Sequence, residues 1–178
     1  IATTGVVWGA DDWPMHLHDA ERSGFSDTLI ELPLSQHWLH VSASAPEAAW
    51  APPIPHAVEG NLEINRLDFD LAFQVAASAE AVYFGSSSDD QVRCLDSRSG
   101  KVRWSFFADG PVRLGPSLDA GRLYFGSDDG FVYCLDAESG SVIWKRLLGF
   151  DRTRHLGNGR LISRWPVRSG ILVRDGIA

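Results

Sequence analysis

The chain has 178 residues, 44% hydrophobic and 22% charged, an ordinary composition for a globular domain with a buried core. Its formal net charge of −7 argues against DNA or RNA as the main partner, because phosphate binding asks for a basic surface. No apolar run of about 18 residues occurs, which excludes a membrane-spanning helix.

Residues 1–35 read as irregular. Within them Trp13-Pro14-Met15-His16-Leu17-His18-Asp19 holds an H-x-H-D cluster. In an extended chain His16 and His18 would share a side, as two metal ligands do, but no third ligand is near, and a loop packed by Trp13 and Met15 is the simpler reading. Residues 36–43 alternate polar and apolar and predict a strand, with Trp38 placed like the Trp that ends the later repeats. Residues 45–56 hold four prolines and form an excursion in which Trp50 is a natural anchor. Residues 57–70 are mixed, and 1–70 is therefore taken as a leading segment with a possible closing strand near 36–43.

From residue 71 a repeat takes over. Strands are predicted at 71–78, 81–86, 91–96 and 101–107, and again at 113–118, 122–127, 131–136 and 141–147. Cys94 and Cys134, like Trp104 and Trp144, are 40 residues apart. Four short antiparallel strands per period of this length are the signature of an all-β propeller. The blades span 71–107 and 112–147. An inserted loop, 149–165, precedes the start of a third blade at 166–178, where Pro166-Val167-Arg168 echoes Pro111-Val112-Arg113. The chain begins on Ile1 rather than Met and stops inside a repeat. It reads as a piece of a longer protein, whose open sheet edges should favour association.

The turn between the third and fourth strands is the same in both blades. Asp96 and Asp136 end a strand and can accept backbone N–H groups, Gly100 and Gly140 permit positive φ, and Trp104 and Trp144 follow four positions later as rigid packing groups. A calcium loop would need more oxygen ligands than this turn offers. Cys94 and Cys134 occupy one equivalent position in neighbouring blades, too far apart for a disulfide, and read as small core residues.

The stretches Cys94 to Trp104 and Cys134 to Trp144 resemble the tryptophan-docking motif of PQQ-binding-like, quinoprotein-type β-propeller repeat proteins, Ala-x-Asp-x-x-x-Gly-x-x-x-Trp, with Cys in place of the first Ala. The leading Trp13 to Gly24 and the segment Asn158 to Arg168 are similar to stretches in bacterial members. The resemblance implies an incomplete ring here, with two full blades and part of a third, completed by the remaining blades of the same propeller. It also implies a periplasmic or otherwise extracytoplasmic location.

Blade geometry puts Ser86–Gln91, Ser127–Gly130, Gly149–Trp165 and the 44–70 excursion on one face. Trp104 to Pro111 takes 7 positions, whereas Trp144 to Pro166 takes 22. The longer connection carries Arg152, Arg154, His155, Arg160 and Arg164, and Arg113 and Arg168 enter the inner strands from the same face. This set is the candidate binding face, for another protein or a small anionic ligand. The alternative is that the arginines pair with Asp89, Asp90, Asp128 and Asp129 of neighbouring loops.

Two functions follow. One is a non-enzymatic scaffold or binding module, with no cofactor. The other, implied by the resemblance, is a quinoprotein dehydrogenase that oxidises an alcohol or sugar with pyrroloquinoline quinone and Ca2+. The adjacent cysteines shown by many alcohol-oxidising members are absent, and the calcium set maps onto no stretch of this sequence. Hydrolase chemistry has no support, because no Gly-x-Ser-x-Gly elbow occurs. No catalytic or metal-binding residue is assigned.

Overall fold

A computed structural model describes residues 12–30, 32–50, 70–157 and 159–178. Two four-stranded antiparallel sheets dominate it, each a simple meander. The first contains β1 (Val75–Ala77), β2 (Ala81–Ser86), β3 (Gln91–Asp96) and β4 (Val102–Phe107). The second contains β5 (Ser117–Asp119), β6 (Arg122–Gly126), β7 (Phe131–Asp136) and β8 (Val142–Leu147). These are propeller blades, and the all-β class read from the repeat holds.

The registers repeat as the sequence does. Tyr83 lies opposite Cys94, and Cys94 opposite Trp104. Tyr124, Cys134 and Trp144 align in the same way. Both sheets have a register irregularity directly after the Cys. Alternation then sorts side chains between the two faces of a blade. Leu123, Phe125, Tyr133 and Leu135 of the second blade meet Tyr83, Val92 and Cys94 of the first in one core. Tyr124, Val132 and Cys134 face the other way, against Val167, Ile171 and Val173. Both cysteines are free and buried, and burial pushes the Cys94 thiol up to about 11.

The innermost strands are shorter than the alternation suggested, covering 75–77 rather than 71–78 and 117–119 rather than 113–118. The reason at the second blade is a handover. The N–H of Val112 points to Ser86 O of the first blade at 3.4 Å, so this part of the inner segment lies along its neighbour. Pro116, which has no N–H, then separates it from the three residues that pair within the second blade. Val167 repeats the step, donating to Ser127 O at 3.0 Å. Close approach makes Gly85 and Gly126 necessary: a Cβ on either would lie 2.5 Å and 2.4 Å from Cγ1 of Val112 and Val167 respectively.

The leading segment is tied to the inner edges of both blades. Trp13 exchanges two backbone hydrogen bonds of 2.8 Å with Ala77, and Pro14 O accepts from Leu118 N at 2.7 Å. Met15 is buried, as the packed-loop reading expected. The chain turns tightly here, with positive φ at Leu17 and His18, so His16 and His18 do not present the extended side-by-side arrangement a metal would use.

The strand predicted over 36–43 does not form. These residues carry alternating burial from Trp38 to Ser42, but no strand stands beside them to complete a ladder among the described residues. What holds the segment is a side chain. The indole N–H of Trp38 donates to Ser97 O at 2.8 Å and its ring lies over Gly100. The 57–69 part of the leading segment lies outside the described residues, as does the 51–56 part of the proline-rich excursion.

The insertion is more ordered than a loop. It contains a hairpin of β9 (Arg154–Gly157) and β10 (Arg160–Ser163). Between the strands Gly159 has φ 77°, and the sequence there, Asn-Gly, is the pair favoured where a tight hairpin needs positive φ. Residues 166–178 form no strand; Arg174 and Ile177 make one isolated bridge.

Candidate functional site

The repeated turns are secured locally. Asp96 accepts from Ser99 N at 2.8 Å, Ser99 Oγ at 2.8 Å and Arg98 N at 3.2 Å, and its other oxygen takes Arg103 at 2.6 Å. The Arg103 bond, then those from Ser99, hold the Asp96 carboxyl well below the usual range. Asp136 is lowered in the same direction by Ser139. Gly100 and Gly140 have φ of 68° and 72°. Trp104 lies over Gly140 and donates to Ala137 O at 3.1 Å. Trp144 packs beside Tyr124, with ring centres 6.0 Å apart.

On the loop face the two Pro-Val-Arg segments converge on one carboxylate. Arg113 Nε donates to Asp128 Oδ2 at 2.8 Å, while Arg168 Nε and Nη2 take Oδ1 and Oδ2, both at 2.8 Å. Arg113 also reaches Asp70 Oδ2 at 2.6 Å and Glu47 O at 2.6 Å. Asp70, Arg113 and Asp128 are all buried, and Asp128 is 0% exposed. The result is an alternating row, Asp70–Arg113–Asp128–Arg168, that joins the leading segment, the second blade and the start of the third repeat. Buried charges demand such pairing, because an ion without a counter-ion pays a large desolvation cost.

Arg160 makes a second link. From the base of β10 it reaches Asp90, Ser88 O at 3.1 Å and Glu47 Oε2 at 3.1 Å, so the insertion is fastened to the first blade. Burial raises the Asp90 carboxyl, with Arg160 opposing that rise. Of the remaining candidates, Arg152 stands 5.8 Å from the centre of the Phe131 ring and Arg164 stands 5.9 Å from that of Trp165. Arg154 and His155 lie exposed on β9. Trp50 sits beneath the Arg168 guanidinium at 5.9 Å. A shallow cleft of about 480 Å3 is lined by Leu148, Phe150, Arg164, Trp165 and Arg168 among others. Asp70 and Glu47 were not among the residues singled out from sequence; both lie in stretches without periodicity, and only the repeated Arg of Pro-Val-Arg signalled that a buried acid must answer it.

Arg113 and Arg168 are thus brought together, and both are already matched by carboxylates of the chain. Among the described residues, no group of three or more His, Cys, Asp or Glu converges as a metal site requires. A calcium ion such as the dehydrogenases hold finds no such group among the described residues.

No curated protein sequence matches the chain. Among solved structures, BamB from Moraxella catarrhalis is 27% identical over 49% of this chain and 28% of its own, with a TM-score of 0.39. A quinohemoprotein alcohol dehydrogenase from Comamonas testosteroni is 19% identical over 76% of this chain and 19% of its own, with a TM-score of 0.55; that likeness is one of fold. The chain therefore spans less than a third of the length of either. A family profile described as outer membrane protein assembly factor BamB matches residues 47–162, well over half of the chain. With the two blades and their repeated Asp, Gly and Trp positions, this places the chain in the BamB-like family of PQQ-type propeller repeats.

Proposed function

We propose that the chain is part of a non-enzymatic propeller that acts as a scaffold and binding module on the periplasmic side. The observation that carries this reading is the use of the loop-face arginines. Arg113 and Arg168, the residues best placed to hold an anionic substrate or cofactor, spend their donors on Asp70 and Asp128 and so join successive repeats. Trp104 over Gly140 docks the first blade on the second, and Trp38 over Gly100 docks the leading segment on the first. The family description, an assembly factor, favours a role in bringing proteins together, and the periplasmic placement rests on that description alone.

The test is a titration of the full-length protein with pyrroloquinoline quinone and Ca2+, followed by cofactor absorbance and dye-linked alcohol oxidation. No stoichiometric binding and no turnover is the expected result. Stoichiometric binding with turnover overturns the scaffold reading and establishes the dehydrogenase.

A further inference from the structure

The hairpin of the insertion has two unlike faces. Cross-strand pairing sets Leu156 opposite Leu161, and Ile162 opposite His155. Ile162 is buried and Arg160 is pinned to Asp90 and Glu47, so that face is fixed to the body of the protein. Ser163 N adds a 2.7 Å bond to Asp128 O of the second blade. The opposite face is open at Leu156 and Leu161 and closes only at Ser163, which is buried across from Arg154. Leu156 is 78% exposed and Leu161 54%, side by side, with Arg154 two residues along the same face of β9. Among the described residues Arg154 has no carboxylate partner. Among the described residues β9 has β10 on one side and no strand on the other.

We propose that the outward face and free edge of this hairpin form a docking site for an extended, acidic segment of another protein that also carries apolar side chains. The argument rests on charge complementarity. Arg160 is neutralised by Asp90 and Glu47, which leaves Arg152, Arg154 and Arg164 against Asp151 alone, a local excess of positive charge with an apolar centre on a chain of net charge −7. An added strand would pair along β9, place carboxylates near Arg154, and cover Leu156 and Leu161. The platform is held rigid by Arg160 and Ile162, so little ordering is left to oppose binding. A basic strand would instead be repelled. The proposal deepens the scaffold reading by naming the chemistry of one partner, and rests on it.

The probe is a fluorescent peptide of about ten residues rich in Glu and Val, offered to the full chain beside a twin with Lys for Glu, with anionic phosphatidylglycerol vesicles and gel filtration as parallel arms. The Glu peptide is expected to bind. Arg154→Glu and Leu156→Asp should each weaken it about tenfold, and raised salt should lower affinity for the wild type more than for Arg154→Glu. Both residues are exposed, and circular dichroism would verify that the variants fold. Equal binding of the Lys peptide, indifference to both substitutions, binding to vesicles alone, or a Leu156-dependent dimer in place of peptide binding would overturn the proposal. Its failure alongside a blank quinone titration removes this site and leaves the scaffold reading intact. Quinone turnover would remove the scaffold reading, whatever the peptide does.

Discussion

Trp38 and Gly100 are separated by sixty-two positions of chain and by less than the width of a methyl group: a Cβ on Gly100 would lie 2.6 Å from Cε3 of the Trp38 ring. Trp104 and Gly140 repeat the relationship, at 2.7 Å to Cδ2. Gly140→Ala should therefore destabilise the protein by about 2–4 kcal/mol, combining overpacking with the strain of a Cβ at positive φ. Gly121→Ala is the control. Gly121 also has positive φ, at 73°, but nothing lies within 4 Å of its Cβ position, so it should lose only the strain term. Urea melts of the two variants measure the difference, and equal losses would deny the Trp contact any weight.

The row Asp70–Arg113–Asp128–Arg168 predicts unequal losses along its length. Arg113→Ala leaves two buried carboxylates short of a partner and should cost about 3–5 kcal/mol. Arg168→Ala should cost clearly less, because Arg168 is partly exposed and Asp128 keeps Arg113. A double-mutant cycle between Arg113 and Asp128 should give strong coupling in denaturant melts. Additivity within error would mean the row does not act as a unit.

Acid should weaken the repeated turns. The folded-state Asp96 carboxyl lies below its unfolded value, chiefly through Arg103 and Ser99, and that of Asp136 is lowered by Ser139. A depressed carboxylate contributes stability that is present above the unfolded value of about 3.9 and lost as pH falls through the folded one. Stability should thus decline with falling pH below about 4, and Asp96→Asn should flatten that decline. Thermal melts from neutral pH downward read it directly, and an unchanged acid limb in the variant would contradict the assignment.

The cysteines should be silent in the native state. Cys94 and Cys134 are buried, unpaired, and raised by burial away from the thiolate form. A thiol reagent at mild alkaline pH should modify neither until denaturant is added, and then both. Rapid labelling of the folded protein would show that the core around Tyr83 and Tyr124 opens.

What the residues announced in advance was mostly local. The Tyr-Phe-Gly strands, the Asp-to-Gly turn and the Trp four positions on are short-range patterns, and β2, β3 and β7 occupy the predicted bounds. Trp38 was recognisable as a repeat Trp for the same reason. Its flanks alternate but pair with no strand among the described residues, because alternation reports sidedness and says nothing about whether a neighbour is there to pair. The hairpin at 154–163 went unseen although Asn158-Gly159 is a strong turn signal, since the surrounding arginines mask its alternation. Asp70 and Glu47 were invisible for a different reason: their partner Arg113 is brought to them by the packing of separate segments, which no local pattern encodes.

The handover at Val112 and Val167 bears on how such a protein lengthens. Each Pro-Val-Arg step is seated on the preceding blade, while the residues after it belong to the next. A stretch of 40 residues copied in tandem, the spacing of Cys94 and Cys134, would therefore inherit both halves of a seam. The new unit would arrive with its attachment already encoded, so growth by duplication asks for no fresh joint.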